Sequence, residues 1–458
     1  MMKSWNIILF FALLFTITSC TTNSPEIVFT DVNVVPMKSE VILPNQTVVI
    51  KEGRIAEIGP YATTKISNKA LQIDGTGKYL MPGLADMHTH VWSENDLILF
   101  LANGVTTIRN MGGAPIHLEF RKKIQKGELL GPDIYTAGPV IDGFPPIWPG
   151  SVEVEGPYNA RKVITEQKEA GYDFIKIYNN LSKSGFEAIM SIAKEYDIPV
   201  AGHVPFNITL QKALESGMAC IEHFEGYGIA LQADDSPFIN NTSFSMTGAW
   251  EYLDDEKLTN IVLKTKASGV WNCPTMVVFQ KMFINADDVE KMLNKLEMQY
   301  VAPVIKNKWR ERDYNEDIAA KADQIYKARR KLLRLLHEQN ANILSGTDSG
   351  NPFTVHGFSM HEELRYFIDA GFLPYEAIKT GTVDAAKFLN ATEEFGTVEV
   401  GRIANLLLLE NNPLDDIANL SKIAGVMIRG KWLSARELRL MLQEIATQYD
   451  PGINLYLQ

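Results

Sequence analysis

The chain has 458 residues, 46% of them hydrophobic, and a formal net charge of −11. That is enough apolar chain for one large domain with a smaller module, or for two to three average domains. The acidic balance, with no basic stripe interleaved with aromatics, excludes the ordinary nucleic-acid-binding classes and leaves an acidic soluble enzyme as the plainest reading.

The first twenty residues read as a targeting segment. Lys3 is followed by an apolar run, Ile7 to Phe15, too short to span a bilayer as a mature helix. Ile17-Thr18-Ser19-Cys20 has the form of a bacterial lipobox, so 1–20 is expected to be a lipoprotein signal peptide with Cys20 as the lipidated anchor. This predicts a bacterial cell-envelope protein, periplasmic or on the outer-membrane face, attached to the membrane through Cys20 alone. A generic signal peptide with an incidental cysteine is the alternative. Thr21 to Pro25 reads as a polar tether.

From 26 to 80 the residues alternate as half-buried strands do, most clearly at Ile27-Val28-Phe29, Thr47 to Ile50 and Arg54 to Ile58, with a turn at Glu52-Gly53. The pattern returns over 394–440, at Leu406 to Leu409 and Val426 to Ile428, with a turn at Arg429-Gly430-Lys431. The two ends are expected to form one small β-sandwich, with 441–458 as a C-terminal tail.

Between them, over 81–393, strands alternate with helices. The predicted strands are Leu84–His90, Val105–Arg109, Asp133–Ala137, Phe174–Tyr178, Pro199–Val204, Cys220–Phe224, Val270–Thr275 and Ile343–Asp348. Eight strand–helix units predict an α/β fold, a closed (β/α)8 TIM-like barrel rather than an open sheet. The stretch 280–340 is long, charged and helix-periodic, and reads equally as a lid or as a helical hairpin padding the outside. Cys220 and Cys273 fall in core strands and are expected to be free buried thiols.

Several chemistry-bearing residues fall at strand ends. His88-Thr89-His90 closes an apolar strand after a Pro-Gly turn, and residues two apart in a strand share a face, so both imidazoles aim at one point. Lys176 sits inside Phe174-Ile175-Lys176-Ile177-Tyr178, where a buried ammonium must be paired, neutralised or modified. His203, His223 and Asp348 each stop an apolar run. Singly, each has a plain alternative: a satisfied core histidine, a snorkelling lysine, a capping aspartate. Together they point to a metal site at one rim of the barrel.

Secondary candidates surround that rim. Tyr178 takes the next inward position after Lys176. Tyr227 follows the His223 strand in a loop, and His361 follows Asp348; these three are the candidate substrate contacts. His356 is read as non-functional, and His117 and His337 as solvent-facing. The loop Asp142 to Pro149 is expected to wall the pocket.

These residues carry a family resemblance. Pro82-Gly83-Leu84 through His90, Lys176, Gly202-His203, Glu222-His223-Phe224, Gly346-Thr347-Asp348-Ser349 and the later Gly396-Thr397-Val398 and Gly401 to Leu406 resemble the amidohydrolase superfamily, in its imidazolonepropionase-like and prolidase-like branch. The resemblance implies that His88, His90 and Asp348 bind one divalent ion and His203 and His223 a second, both zinc-like. It also implies that a CO2-derived carboxylate on Lys176 bridges them. The expected activity is metal-dependent hydrolysis of a C–N bond in a small amide or cyclic amide by a metal-bound hydroxide, with Asp348 moving the proton. A lactone or ester hydrolase on the same site, and an inactive binding lipoprotein, are the alternatives. The loop after the third strand lacks the Gly-Gly-His of many prolidase-like members, which argues against a true dipeptidase; Lys176 argues against imidazolonepropionase itself. Oligomeric state is open.

Overall fold

The computed structural model describes residues 26–238 and 248–450. Cys20 and the expected signal peptide lie outside the described residues. Among the described residues no helix is long and apolar enough to cross a membrane.

The alternating segments at both ends of the chain pair into one eight-stranded sheet. Its path runs from Lys431–Ser434 through Ile423–Ile428 and Leu406–Leu409 to Tyr79–Pro82, then Ile27–Val34, Leu43–Lys51 and Arg54–Pro60, with Leu71–Asp74 pairing beside Ile27–Val34. The join between the two ends is antiparallel, Leu406 opposite Pro82 and Leu409 opposite Tyr79. Phe29, Val48, Leu80, Leu406 and Met427 form its apolar face. Hydrogen bonding thus makes a single continuous sheet of what the sequence suggested as a sandwich. The stretch expected as a tail opens inside a capped helix, Ala435–Tyr449, which packs on the helix Glu94–Ala102.

The middle of the chain is α/β with parallel strands. Leu84–Thr89, Val105–Asn110 and Asp133–Thr136 make one parallel sheet. Ile175–Ile177, Val200–Gly202, Cys220–Glu222 and Trp271–Cys273 run side by side in a second, extended at one edge by two-residue strands at Ile141 and Val152. Parallel bridges link these pieces: Ala137 with Phe174, Asn272 with Ile343, and Thr89 with Ser349. Helices cover the strands, and the main core lies between the two layers.

Seven of the eight predicted strands appear close to their expected bounds. The eighth is different. Leu344 N donates to Asn272 O on one side, whereas Thr347 N and Asp348 N both donate to His88 O on the other. That uneven spacing breaks the ladder, and Asp348 itself takes a positive φ of 56°. The close fit has a clear cause: a Cβ on Gly346 would stand 2.6 Å from His88 N and 2.5 Å from Cys273 Sγ.

The stretch after the seventh strand divides: its start lies over the strand ends and the part beyond packs on the outside. Met276–Met282 faces the strand ends, while Val289–Leu293 and Pro303–Arg310 pack with Met298 and Trp309 against Phe353 and Ile445. The long helix Glu316–Glu338 lies along Asp255–Ser268 and Met276–Met282.

Candidate active site

Strand geometry brings the expected residues together. His88, His90, Lys176, His203, His223 and Asp348 all line one cavity of about 460 Å³, and Tyr178 lines it too. His90, His203 and His223 each stand one residue beyond a strand end, where the chain turns outward; His88 and Lys176 point in from within their strands.

Asp348 is the hub. Its Oδ1 lies 3.1 Å from His90 Nε2 and 3.4 Å from His88 Nε2, and its Oδ2 lies 3.9 Å from His223 Nε2. Ring centroids are 4.5 Å apart for His88 and His223 and 4.8 Å for His203 and His223. His88, His90 and Asp348 offer ligand atoms all within 4.8 Å of one another. His88 Nε2 and Asp348 Oδ1 are buried without a hydrogen-bond partner. Orphaned polar atoms in a well-packed site are costly, and a cation between them satisfies both. The donor set, neutral imidazole with carboxylate, suits zinc-like ions.

The other nitrogen of each of three rings is held by the protein. His88 Nδ1 donates to Glu222 Oε2 at 2.7 Å, His203 Nδ1 donates to Asn179 Oδ1 at 2.6 Å, and His223 Nδ1 meets the Thr275 hydroxyl at 2.7 Å. Each partner fixes its ring's orientation and leaves Nε2 facing the cluster, the arrangement by which proteins aim metal-ligating histidines. Glu222 is in turn held by Arg109, whose Nη2 donates to both carboxylate oxygens at 2.8 and 3.0 Å; both residues are fully buried. Arg109 Nε also donates to Met87 O. Asp86 accepts from Thr347 Oγ1 at 2.6 Å and from the backbone of Thr347 and His88, tying the strand of the first two histidines to the Asp348 segment.

Burial sets the electrostatics. It pushes His88 down to about 4, with the Lys176 charge adding to the effect, and holds His203 and His223 well below the usual histidine range. These rings are therefore neutral near pH 7, the state that binds metal. Burial also lowers Lys176, favouring its neutral amine. For Asp348 burial acts upward, but His88, His223 and His90 outweigh it and hold the carboxyl well below its usual range.

The secondary candidates separate. Tyr178 lies against His203 with centroids 4.0 Å apart and the rings tilted by 34°, and its hydroxyl accepts from Trp148 Nε1 at 2.6 Å. Tyr227 is not brought to the cavity: it opens a short helix, is fully buried, and its hydroxyl meets Thr265 Oγ1 at 3.0 Å. His361 is likewise turned away, buried on the helix Phe358–Asp369, which covers the strands from outside. His117 is buried rather than solvent-facing. It caps its own helix, accepting from Ala114 N and donating from Nε2 to Val91 O, each at 2.9 Å. His337 is half-buried, stacked 3.7 Å from the Phe372 ring. His356, read as non-functional, supports the site by donating from Nε2 to His90 O at 2.8 Å.

The loop after the third strand forms a wall as expected, through Trp148 and Pro149. Asp142 holds it there: Oδ1 accepts from Gly143 N and Asn180 N, and Oδ2 from Ile147 N.

A parallel α/β scaffold with imidazoles, a buried lysine and a carboxylate converging beyond its strand ends defines a class of protein built to present polar ligands to one cavity. Within that class the chain belongs to the Amidohydrolase family, whose family model matches residues 79–433. Adenine deaminases are among its curated relatives. That of Rubrobacter xylanophilus is 31% identical over 87 residues, 19% of this chain and 14% of the relative. That of Staphylothermus marinus is 28% identical over 206 residues, 39% of this chain and 32% of the relative. The chain thus spans a third or less of the curated relatives it matches. Solved structures align along nearly the whole length. A bottromycin amidohydrolase has TM-score 0.74 at 24% identity, covering 93% of this chain and 91% of its own. A Xaa-Pro dipeptidase with bound methionine has TM-score 0.66 at 21% identity, covering 89% and 100%. At these identities the likeness establishes the fold, and the family match bears out the superfamily expected from the motifs.

Proposed function

We propose that this protein is a metal-dependent hydrolase that cleaves a C–N bond in a small amide or cyclic amide. The observation that carries the reading is the set of three buried imidazoles, each held through Nδ1 by a protein partner, around the orphaned Asp348 Oδ1. We extend the reading to two zinc-like ions per chain, one held by His88, His90 and Asp348 and one by His203 and His223. Lys176, whose ammonium form burial disfavours, would as the neutral amine add carbon dioxide and lose a proton to give an anionic carbamate, a further oxygen donor for such ions. When bound, such ions supply Lewis acidity toward a carbonyl and toward water. The protein's own groups do the rest. Asp348 accepts the proton of the attacking water and returns it to the leaving nitrogen, so amide and water become carboxylic acid and amine. Tyr178 keeps its hydroxyl proton because burial raises it above the usual phenol range against the opposing Trp148 hydrogen bond, and with its oxygen accepting from Trp148 that proton is available to the substrate carbonyl oxygen. Neutral histidines hold their tautomers through turnover.

The scaffold reading follows the same lines. The parallel segments and their bridges support a (β/α)8 ring over 81–393 with the terminal sheet beside it. Tethering to the cell envelope through Cys20 rests on the lipobox. The test is metal content with turnover of an amide panel. Protein purified without chelator should hold about two zinc-like ions per chain, and Lys176→Ala should lose metal and activity together. One ion per chain, with Lys176 unmodified and activity intact, would overturn the binuclear reading.

A further inference from the structure

The walls of the cavity name a substrate class. Beyond the polar cluster it is lined by side chains such as Trp92, Met111, Ile116, Val278, Phe279 and Met282. Among the described residues that line it there is no arginine, and its one lysine is Lys176, already in the cluster. His117 adds no charge to the wall: burial lowers it, and both ring nitrogens are engaged by backbone. Residues 239–247, Ile-Asn-Asn-Thr-Ser-Phe-Ser-Met-Thr, contain no cationic side chain to contribute. Polar atoms beyond the cluster are neutral. They include the Tyr178 hydroxyl and Ser151 Oγ, which is buried without a partner.

The mouth continues the pattern. Trp92 is 72% exposed and stacks on His90, and Trp148 is 53% exposed; the Trp148 loop also leaves Phe144 and Ile147 in water. That loop is fixed from beneath by the Asp142 carboxylate, so its aromatic display is a held geometry. Exposed aromatic surface around a cavity of matching character gains most when a hydrocarbon or aryl group covers it. A carboxylate held against these walls would lose its hydration with no cationic side chain among the lining residues to replace it, the proposed ions being reserved for the scissile carbonyl and water.

We propose that this cavity takes uncharged amides bearing bulky hydrocarbon or aryl groups, and discriminates against substrates with a carboxylate beside the scissile bond. The proposal rests on the hydrolase reading above and names its substrate. Dipeptides and N-acyl amino acids are therefore poor substrates.

A matched pair tests it. N-benzoyl-2-phenylethylamine and N-benzoylphenylalanine share a scissile amide and differ by one carboxylate. With metal-loaded protein, kcat/KM should favour the uncharged amide by on the order of 10²-fold. Ile116→Arg, at a half-exposed wall position, should shrink that ratio at least about tenfold by supplying the missing cation. Preference for the carboxylate compound, or a ratio unmoved by Ile116→Arg, would overturn the substrate assignment and leave the hydrolase reading standing. If neither compound is turned over, the hydrolase reading fails for this bond, and calorimetric binding of the same pair decides the cavity's preference. Tighter binding of the uncharged compound then supports the assignment, and equal or reversed affinity rejects it.

Discussion

Replacing Glu222 by glutamine should damage metal binding and stability together, although Glu222 faces no substrate. The carboxylate accepts two hydrogen bonds from Arg109 Nη2 and one from His88 Nδ1, and is completely buried. In Glu222→Gln the amide oxygen can still take Arg109, but the amide nitrogen then meets His88 Nδ1, donor against donor. The conflict resolves if His88 moves its proton to Nε2, the nitrogen that faces Asp348 and would bind metal. Loss of such an orienting partner typically weakens metal affinity by about 10–100-fold, roughly 1.4–2.8 kcal/mol. The guanidinium of Arg109 also loses its counter-charge in the core. Breaking a buried pair costs about 3–5 kcal/mol, and because glutamine keeps shape and one acceptor we expect roughly 3. Urea unfolding of the metal-free protein should report the second effect and calorimetric zinc titration the first. Removing both charges, as in Arg109→Met with Glu222→Leu, should destabilise less than the sum of the two single changes. A Glu222→Gln variant within about 0.5 kcal/mol of wild type, with unchanged zinc affinity, would refute the reasoning.

Three further outcomes are expected. Asp348→Asn keeps the shape and one coordinating oxygen but accepts no proton near neutral pH, so turnover should fall by about 10²–10⁴-fold with little loss of metal; normal turnover in the variant would remove Asp348 from proton transfer. Glu363 is a buried carboxylate accepting from Met276 N and Val277 N; burial raises it to about 8 and nearby Asp86 adds to this, while those N–H groups and Arg329 oppose it. Its folded form binds the proton more tightly than the unfolded chain, so its contribution is full below about pH 4.3 and declines as pH rises to about 8, by at most about 1.4 kcal/mol per pH unit. Glu363→Gln should lack that slope in urea midpoints taken at several pH values, and parallel curves for the two proteins would contradict it. Cys20→Ser should release the protein from membrane fractions or block its processing, and unchanged membrane association would reject the lipobox.

What the sequence made legible was whatever local pattern encodes. Period-two alternation and apolar runs ending in polar residues located seven parallel strands and every member of the His88, His90, Lys176, His203, His223, Asp348 set. Partners that hold those residues were not legible, because pairing across the fold leaves no local pattern. Arg109 meets Glu222 across 113 residues, and Thr275 meets His223 across 52. Glu222 stood in the motif beside His223 without an assigned task. Tyr227 and His361 were misjudged for a related reason: proximity in sequence to a site residue does not fix direction, and a short helix and a covering helix turn both away. The irregular eighth segment reads as an ordinary apolar run, since its departure comes from the tight passage of Gly346 beside His88 and Cys273.

The antiparallel join of Tyr79–Pro82 to Leu406–Leu409 has a bearing on biosynthesis. Leu84, which opens the strand that carries His88 and leads into His90, lies two residues beyond that join. The earliest part of the site is thus fastened to a segment synthesised after every other member of the site. The first ligand strand pairs early with Val105–Asn110 on one side, but the segment that closes its base on the other is made only after Asp348, so a shorter chain cannot complete the centre. Maturation of the centre, metal loading included, should therefore wait until the chain through Leu409 has been made and folded.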